Sequence, residues 1–235
     1  MPAPDVAQIK CWGVHALITI RVWFEKVGEA SYISLLDLQR VMQRAFKRAN
    51  LPVWYTQGFN PHIYMTFSAP LSLGQESLVE SLDFKTEEET LDFDAVKETL
   101  CACLPKSLAV QRVEVAQMDP KEIAFARYIV QYTAAYAEKA NAAFAAYQAL
   151  THAPMLKKGK GGKQKEIDLK EFITIEDTQQ NENGFQAVLL LPAGNTFNVN
   201  PMLLLTFLEQ EYALAATSGN LLRTELFTKN KEKFV

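Results

Sequence analysis

Cysteine is scarce in this chain. Only Cys11, Cys101 and Cys103 occur among its 235 residues. Disulfide frameworks are typical of shorter secreted chains with a larger, even number of cysteines, so the sequence argues against one. Cys101 and Cys103 lie two positions apart on a predicted helix and therefore face different directions. We expect buried or half-buried thiols with no shared role.

Long apolar runs and targeting signals are missing as well. A membrane helix needs about eighteen consecutive apolar residues, and the chain has no such stretch. Residues 1–8 lack the basic and apolar regions of a signal peptide, so we expect a cytoplasmic protein. Metal-ligand spacings, a specific carboxylate pair and a phosphate-cradling glycine loop are also absent. The sequence therefore predicts no metal, no cofactor and no membrane partner.

Charge of neither sign dominates. The formal net charge is −3 and 49% of the residues are hydrophobic, which is an ordinary globular composition. A mildly acidic chain is not drawn to nucleic acid in bulk. Any such binding must use local basic patches.

The first half of the chain predicts the order β-α-β-β-α-β. The strands are rich in β-branched and aromatic residues, and the helices carry apolar residues at helical spacing. Proline ends each helix, since the residue before it avoids the helical region. The predicted elements are a strand at 16–24, a helix from Ser34 to Leu51, strands at 63–67 and 76–85, a helix from Asp92 to Leu104 and a strand at 108–115.

The same order repeats after residue 119. The elements are a strand at 125–133, a helix at 134–150, strands at 169–176 and 185–191, a helix at 202–212 and a strand at 221–227. This predicts an α+β protein with two tandem ferredoxin-like units and antiparallel sheets. Residues 1–15 form an extension, 16–119 the first domain and 120–235 the second, with a basic loop at 157–165. We expect seven apolar residues to be buried: Val22, Phe46, Phe67, Val96, Phe144, Leu189 and Leu204.

Two basic patches stand out against the weakly acidic chain. On the first helix, four basic side chains fall opposite the apolar stripe: Arg40, Arg44, Lys47 and Arg48. The basic loop has no acid and contains five lysines: Lys157, Lys158, Lys160, Lys163 and Lys165. A cationic loop of this kind can follow a phosphate backbone without reading bases. The alternative interpretation is a solvated helix face and a solvated hairpin tip.

The segment Gln57–His62 is the most distinctive stretch. A glycine and an Asn–Pro pair indicate an irregular loop. Gln57 and Asn60 carry amides that can hydrogen-bond base edges, and Phe59 can stack on an unpaired base. The alternative is that Asn60 caps the turn and Phe59 belongs to the core.

Gln-Gly-Phe-Asn-Pro-His at 57–62, after a basic helix and before Pro-Leu-x-x-Gly at 70–74, resembles the radical-SAM-linked protein family, a bacterial domain of unknown function. Five further segments share the likeness: 21–28, 34–38, 158–159, 165–169 and 223–227. Arg223, in the last of them, is counted with the candidate nucleic-acid contacts. The resemblance implies a radical SAM protein as partner, encoded beside the chain or fused to it. Family members also tend to sit near genes of ribosome and RNA metabolism, which implies an RNA-related role.

Three hypotheses follow. The preferred one is a non-catalytic RNA-binding accessory module that presents a structured RNA, either tRNA or rRNA, to a radical SAM modification enzyme. The second is an RNA-processing endonuclease-like enzyme with His62 as general acid or base, by analogy with tandem ferredoxin-like endonucleases of CRISPR systems. The third is a pure protein adaptor for the radical SAM partner. The chain lacks the three closely spaced cysteines of a radical SAM cluster, so it is not that enzyme itself. A histidine without an identifiable partner, such as His62, supports no catalytic assignment.

Overall fold

The computed structural model describes residues 17–158, 164–194 and 197–235, without the side chains of residues 157, 158, 164 and 165. The expected extension at residues 1–15 lies outside the described residues. The helices and strands are β1 Ile18–Lys26, α1 Leu35–Arg48, β2 Met65–Phe67, β3 Glu76–Thr86, α2 Phe93–Cys103, β4 Val110–Val115, β5 Ile123–Thr133, α3 Ala137–Ala149, β6 Pro154–Lys158, β7 Gln164–Asp168, α4 Leu169–Phe172, β8 Thr174–Asn181, β9 Gly184–Pro192, α5 Met202–Tyr212 and β10 Asn220–Thr228.

The first helix, α1, forms where its cap and its apolar stripe coincide. The hydroxyl of Ser34 accepts a hydrogen bond of 3.1 Å from the backbone N–H of Asp37, one of the donors that a helix start leaves unpaired. Leu38, Met42 and Phe46 are buried one turn apart along the helix. Propensity, capping and periodicity therefore agree, which is why the sequence predicted this helix well.

The strands assemble into one large sheet. Its order is β4-β1-β3-β10-β5-β9-β8, and β2 pairs with β3 as well. β10 runs parallel to β3, while the other pairs described in this sheet are antiparallel. β10 and β2 share one edge of β3, with β10 at residues 76–77 and β2 at residues 82–84. The protein is therefore an α+β protein with a large, mostly antiparallel sheet.

Apolar side chains form two buried clusters. One lies under α1 and α2, and the other lies under α3 and α5 but also takes in Trp23 from β1. Six of the seven residues expected to be buried are buried: Val22, Phe46, Val96, Phe144, Leu189 and Leu204. Phe67 is only half-buried, because it lies on the three-residue strand β2, which pairs with β3 alone.

The expected strand at 169–176 is wrong in its first half. Leu169–Phe172 is a short helix, α4, and β8 begins only at Thr174. The carboxylate of Asp168 accepts a hydrogen bond of 3.0 Å from the backbone N–H of Lys170, so it caps the turn. Side-chain capping favours the turn over the extended conformation here.

The basic loop belongs to a hairpin that the sequence did not predict as paired strands. β6 and β7 form a separate two-stranded sheet, with Pro154 opposite Asp168 and Lys157 opposite Lys165. Lysine-rich strands with no alternating apolar face give a weak strand signal. Residues 159–163, at the tip, lie outside the described residues.

Candidate nucleic-acid interface

The loop Gln57–His62 projects from a hydrogen-bonded base. Tyr55 and Ile63 form an antiparallel bridge, the backbone N–H of Thr56 donates to the His62 carbonyl at 2.9 Å, and the backbone N–H of His62 donates to the Thr56 hydroxyl at 3.2 Å. These contacts across such a short loop fix both of its ends.

Aromatic packing supports that base from below. The rings of Trp54 and Tyr64 pack edge to face, with their centroids 6.0 Å apart. The ammonium group of Lys85 lies 4.6 Å from the Tyr64 centroid, within the range of a cation–π contact. The loop therefore stands on a packed platform.

Phe59 lies at the tip of the loop and is fully exposed. Gly58 precedes it with φ +135°, a conformation that favours glycine, and nothing lies within 4 Å of the position a Cβ would take there. Gln57 and Asn60 are exposed on either side. The interpretation that Phe59 belongs to the core is therefore wrong. A large exposed aromatic ring between two amides is available to a ligand.

His62 is exposed and held by its own loop. Its Nδ1 lies 3.1 Å from the Thr56 hydroxyl and 3.1 Å from the Asn60 carbonyl oxygen. Both are neutral groups of the loop. These contacts orient the ring without the carboxylate that orients a catalytic histidine in a triad.

The basic side chains of α1 are exposed, as their position opposite the apolar stripe predicts. Arg40 pairs with Asp37 at 3.0 Å in the first turns of the helix. Arg48 donates to the Cys103 carbonyl at 3.2 Å, next to the C-terminus of α2. Arg44 and Lys47 lie between them. That these residues share one molecular face with the loop Gln57–His62 stays a prediction.

The five lysines of the basic loop are only partly placed. Lys160 and Lys163 lie outside the described residues, and so do the side chains of Lys157, Lys158 and Lys165. The backbone of the hairpin is fixed at its base, where the Leu169 N–H donates to the Ala153 carbonyl at 2.9 Å. The lysine loop therefore extends from a defined stem.

Arg223 does not lie with the exposed candidates. It is 2% exposed, and its Nη2 donates to the Ala69 carbonyl oxygen at 2.6 Å and to the carboxylate of Glu80. Its Nε also donates to the Ser77 hydroxyl at 3.4 Å. Burial has the largest single effect and would lower the pKa of Arg223, but Glu80 and Tyr128 together outweigh it and raise that pKa. The structure thus separates Arg223 from the surface, because its charge is taken up inside the fold.

Lys26 adds a third buried charge beside this pair. It is 2% exposed, and its ammonium group donates to the Ser31 carbonyl at 3.1 Å. Burial lowers the pKa of Lys26, and Glu80 opposes that shift. Sequence reasoning did not find this cluster of Lys26, Glu80 and Arg223, since its members are far apart in the chain and no local pattern links them.

Two kinds of site are not found in the part of the chain that the structure describes. There, no group of three or more His, Cys, Asp or Glu side chains could hold a metal ion. None of the described helices is long and apolar enough to cross a membrane.

Fold and loop together define an α+β protein that presents an aromatic-tipped loop with a hydrogen-bonded base. A family model matches residues 19–201, and the chain belongs to that family, which is described as an uncharacterized protein conserved in bacteria (DUF2344). The matched range contains the loop, α1 and the lysine hairpin. It ends before α5 and β10, which carries Arg223. No curated protein matches the chain.

Proposed function

We propose that the chain is a non-catalytic RNA-binding accessory module that presents RNA, either tRNA or rRNA, to a radical SAM modification enzyme. The observation that carries the RNA part is the full exposure of Phe59 on a loop with a fixed base. A fully exposed phenyl ring offers an apolar face that a ligand can cover, and covering it is favourable. Stacking under an unpaired base is the contact that the neighbouring amides of Gln57 and Asn60 suit best.

The basic elements supply the second part of the proposal. The exposed side chains of α1 and the lysines of the hairpin can contact phosphates while Phe59 contacts a base. Phosphate contacts position a nucleic acid and base contacts specify it, so the two kinds of group are complementary.

The radical SAM partner and the finer fold are proposed on separate grounds. The partner rests on the resemblance of the 57–62 motif to the radical-SAM-linked family. We infer two ferredoxin-like units from the strand orders β4-β1-β3-β2 and β10-β5-β9-β8, which repeat one topology.

Phe59→Ala tests the loop directly. With fluorescently labelled tRNA and with single-stranded oligo(U) as probes, we expect RNA affinity to fall about 5- to 150-fold, as for the loss of one stacked base. Phe59→Trp should keep the affinity, because any aromatic face can stack. Tyr32→Ala removes another exposed aromatic, outside the loop, and should leave RNA binding unchanged. Equal affinities for wild type and Phe59→Ala would remove the loop from the RNA site.

The lysine loop is tested by salt dependence. The variant replaces five residues with glutamine: Lys157, Lys158, Lys160, Lys163 and Lys165. The slope of log affinity against log salt should shrink by about 0.7 for each lysine–phosphate pair that the substitutions remove on single-stranded RNA. An unchanged slope would mean that the loop does not contact the RNA backbone.

The alternatives give different outcomes. An endonuclease would cleave the probe without a partner and lose that activity in His62→Ala. An adaptor would bind the radical SAM protein and ignore both RNA probes. Either result would contradict the proposed role.

A further inference from the structure

A cleft of about 1020 Å³ lies between the two halves of the molecule. One wall is the segment that links β2 to β3, including Pro70 and Gln75. The opposite wall is the start of α5, with Met202 and Leu203, and the segment before it. Leu156 of the lysine hairpin also contacts the cleft. Residues from separate parts of the chain thus enclose a volume at the upper end of the range for small-molecule sites.

Arg223 and Tyr128 line this cleft from the sheet below. Among the described lining residues, Arg223 is the one charged side chain. Its position is fixed by the Ala69 carbonyl and by Glu80, so the guanidinium needs little reorganisation to receive a ligand. Nη2 and Nε of Arg223 already donate to Ala69, Glu80 and Ser77, so its Nη1 is the group that can donate to a phosphate or carboxylate in the cleft.

The charges around Arg223 favour an anion. Glu80 pairs with Arg223, and the side chain of Lys26 is buried as well, where its ammonium group donates to the Ser31 carbonyl. The cluster of Lys26, Glu80 and Arg223 therefore has two basic groups for one carboxylate. A buried excess of positive charge is unfavourable, and a bound anion relieves it.

The start of α5 adds partial positive charge at the cleft. Its first turn lies at the cleft, and the N-terminus of a helix carries partial positive charge. The Asn200 amide oxygen accepts from the Met202 N–H at 3.0 Å and from the Gln75 side chain at 2.7 Å. This bridge ties the two walls together and sets the width of the cleft.

We propose that the cleft binds a small organic anion, with its phosphate or carboxylate group at Arg223 and its apolar part against Pro70, Met202 and Leu203. The volume is far larger than a free phosphate ion needs, so the ligand has the size of a nucleotide or a comparable carboxylate. This proposal does not rest on RNA binding by the loop Gln57–His62.

Calorimetry on the full chain separates the two sources of the anion. One panel contains the four nucleoside 5′-monophosphates with the matching nucleosides. The other contains aromatic carboxylates with their neutral amides. We expect a charged member of one panel to bind saturably and its neutral counterpart to bind about 10- to 150-fold more weakly, as expected when a charge-assisted bond is missing.

Met202→Trp is the matched test of the site, because the larger ring fills the cleft from a half-buried position. It should lower affinity at least about tenfold while the melting temperature stays within a few degrees of wild type. Leu36→Trp, on the exposed side of α1, should bind like wild type. Arg223→Lys keeps the charge but removes the hydrogen bonds to Ala69, Ser77 and Glu80 that hold the guanidinium at the cleft, so it should also lose affinity.

Three results would overturn the proposal. They are no saturable binding by either charged panel, equal binding of charged and neutral analogues, and unchanged binding by Met202→Trp. Loss of RNA binding in Phe59→Ala is a separate measurement, so either proposal can fail without the other.

Discussion

At the scale of single residues, the charges buried between β3 and β10 place a strong demand on Glu80. It is 3% exposed and compensates Arg223 and Lys26. Glu80→Gln keeps the shape but leaves both cations without their carboxylate. We expect the free energy of unfolding to fall by about 3–5 kcal/mol, as for other broken buried ion pairs. Urea unfolding followed by circular dichroism measures this change.

The control for that measurement is Glu98→Gln. Glu98 is exposed on α2, so its replacement should change stability by no more than about 0.5 kcal/mol. Similar losses in the two variants would show that Glu80 is not compensating a buried charge.

The residue scale also shows what a sequence can tell. Phe59 was a candidate because glycine and proline surround it, and such loops stay at the surface. Arg223 was placed with the surface contacts because it lies in a segment shared with the radical-SAM-linked family, and arginine is commonly exposed. Its partner Glu80 is 143 positions away, and no local pattern reveals that pairing.

At the scale of elements, Asp168 fixes the stem of the lysine hairpin. Its carboxylate accepts from the Ala153 N–H at 2.8 Å and from the Lys170 N–H at 3.0 Å, and it pairs with His152 at 2.7 Å. The hydrogen bond from the Ala153 N–H lowers the pKa of Asp168 most, and the hydrogen bond from His152 lowers it next. One side chain thus caps α4 and closes β6–β7.

Asp168→Ala should lower the free energy of unfolding by about 0.5–2 kcal/mol at pH 7, as for the loss of a helix cap. The folded pKa lies below the unfolded value of about 3.9, so this contribution is complete above that pH and is lost as the pH falls through the folded pKa. Urea titrations at several pH values should show the two proteins converging only in acid. Asp177→Ala, at an exposed position of β8, is the control.

A constant difference in the free energy of unfolding between wild type and Asp168→Ala down to the lowest pH would contradict the role of the ionised carboxylate.

The short helix α4 shows where sequence patterns fail. Residues 169–176 alternate well enough to predict one strand, but the preceding aspartate caps a short helix first. The helices with caps and clear stripes, α1 and α2, were predicted within a few residues of their bounds.

At the scale of the whole molecule, the order of the elements was predictable except for β6, β7 and α4, but the way in which the elements assemble was not. Apolar residues recur at a helical or a strand spacing within each element, and such local patterns predict single helices and strands. The contact that makes one sheet is the parallel pairing of Leu222 with Glu76 and of Arg223 with Ser77. Such a short pairing leaves no pattern in the sequence of either strand from which it could be predicted. The central cleft, which depends on this junction, was therefore invisible to sequence reasoning.

A second link between the halves is the segment that follows β10. Phe234 is 2% exposed, and its ring centroid lies 5.7 Å from that of Trp23 on β1. The guanidinium carbon of Arg21 lies 4.5 Å from the centroid of the Phe234 ring. The backbone N–H of Phe234 donates to the Leu226 carbonyl at 2.9 Å, which holds the segment against β10. The second half thus places an aromatic anchor on the first.

Phe234→Ala should therefore weaken the coupling between the halves as well as the fold. We expect stability to fall by about 3–5 kcal/mol, as for other buried phenylalanines.

Phe144→Ala is the matched control, since Phe144 is fully buried inside the second half. Hydrogen exchange followed by mass spectrometry in increasing urea measures both halves at once. In wild type and in Phe144→Ala, peptides of α1 and α3 should open together, because the junction is intact. In Phe234→Ala they should open at different urea concentrations. If they still open together, the Phe234 contact does not couple the halves, and the β3–β10 junction with its buried ion pair is sufficient on its own.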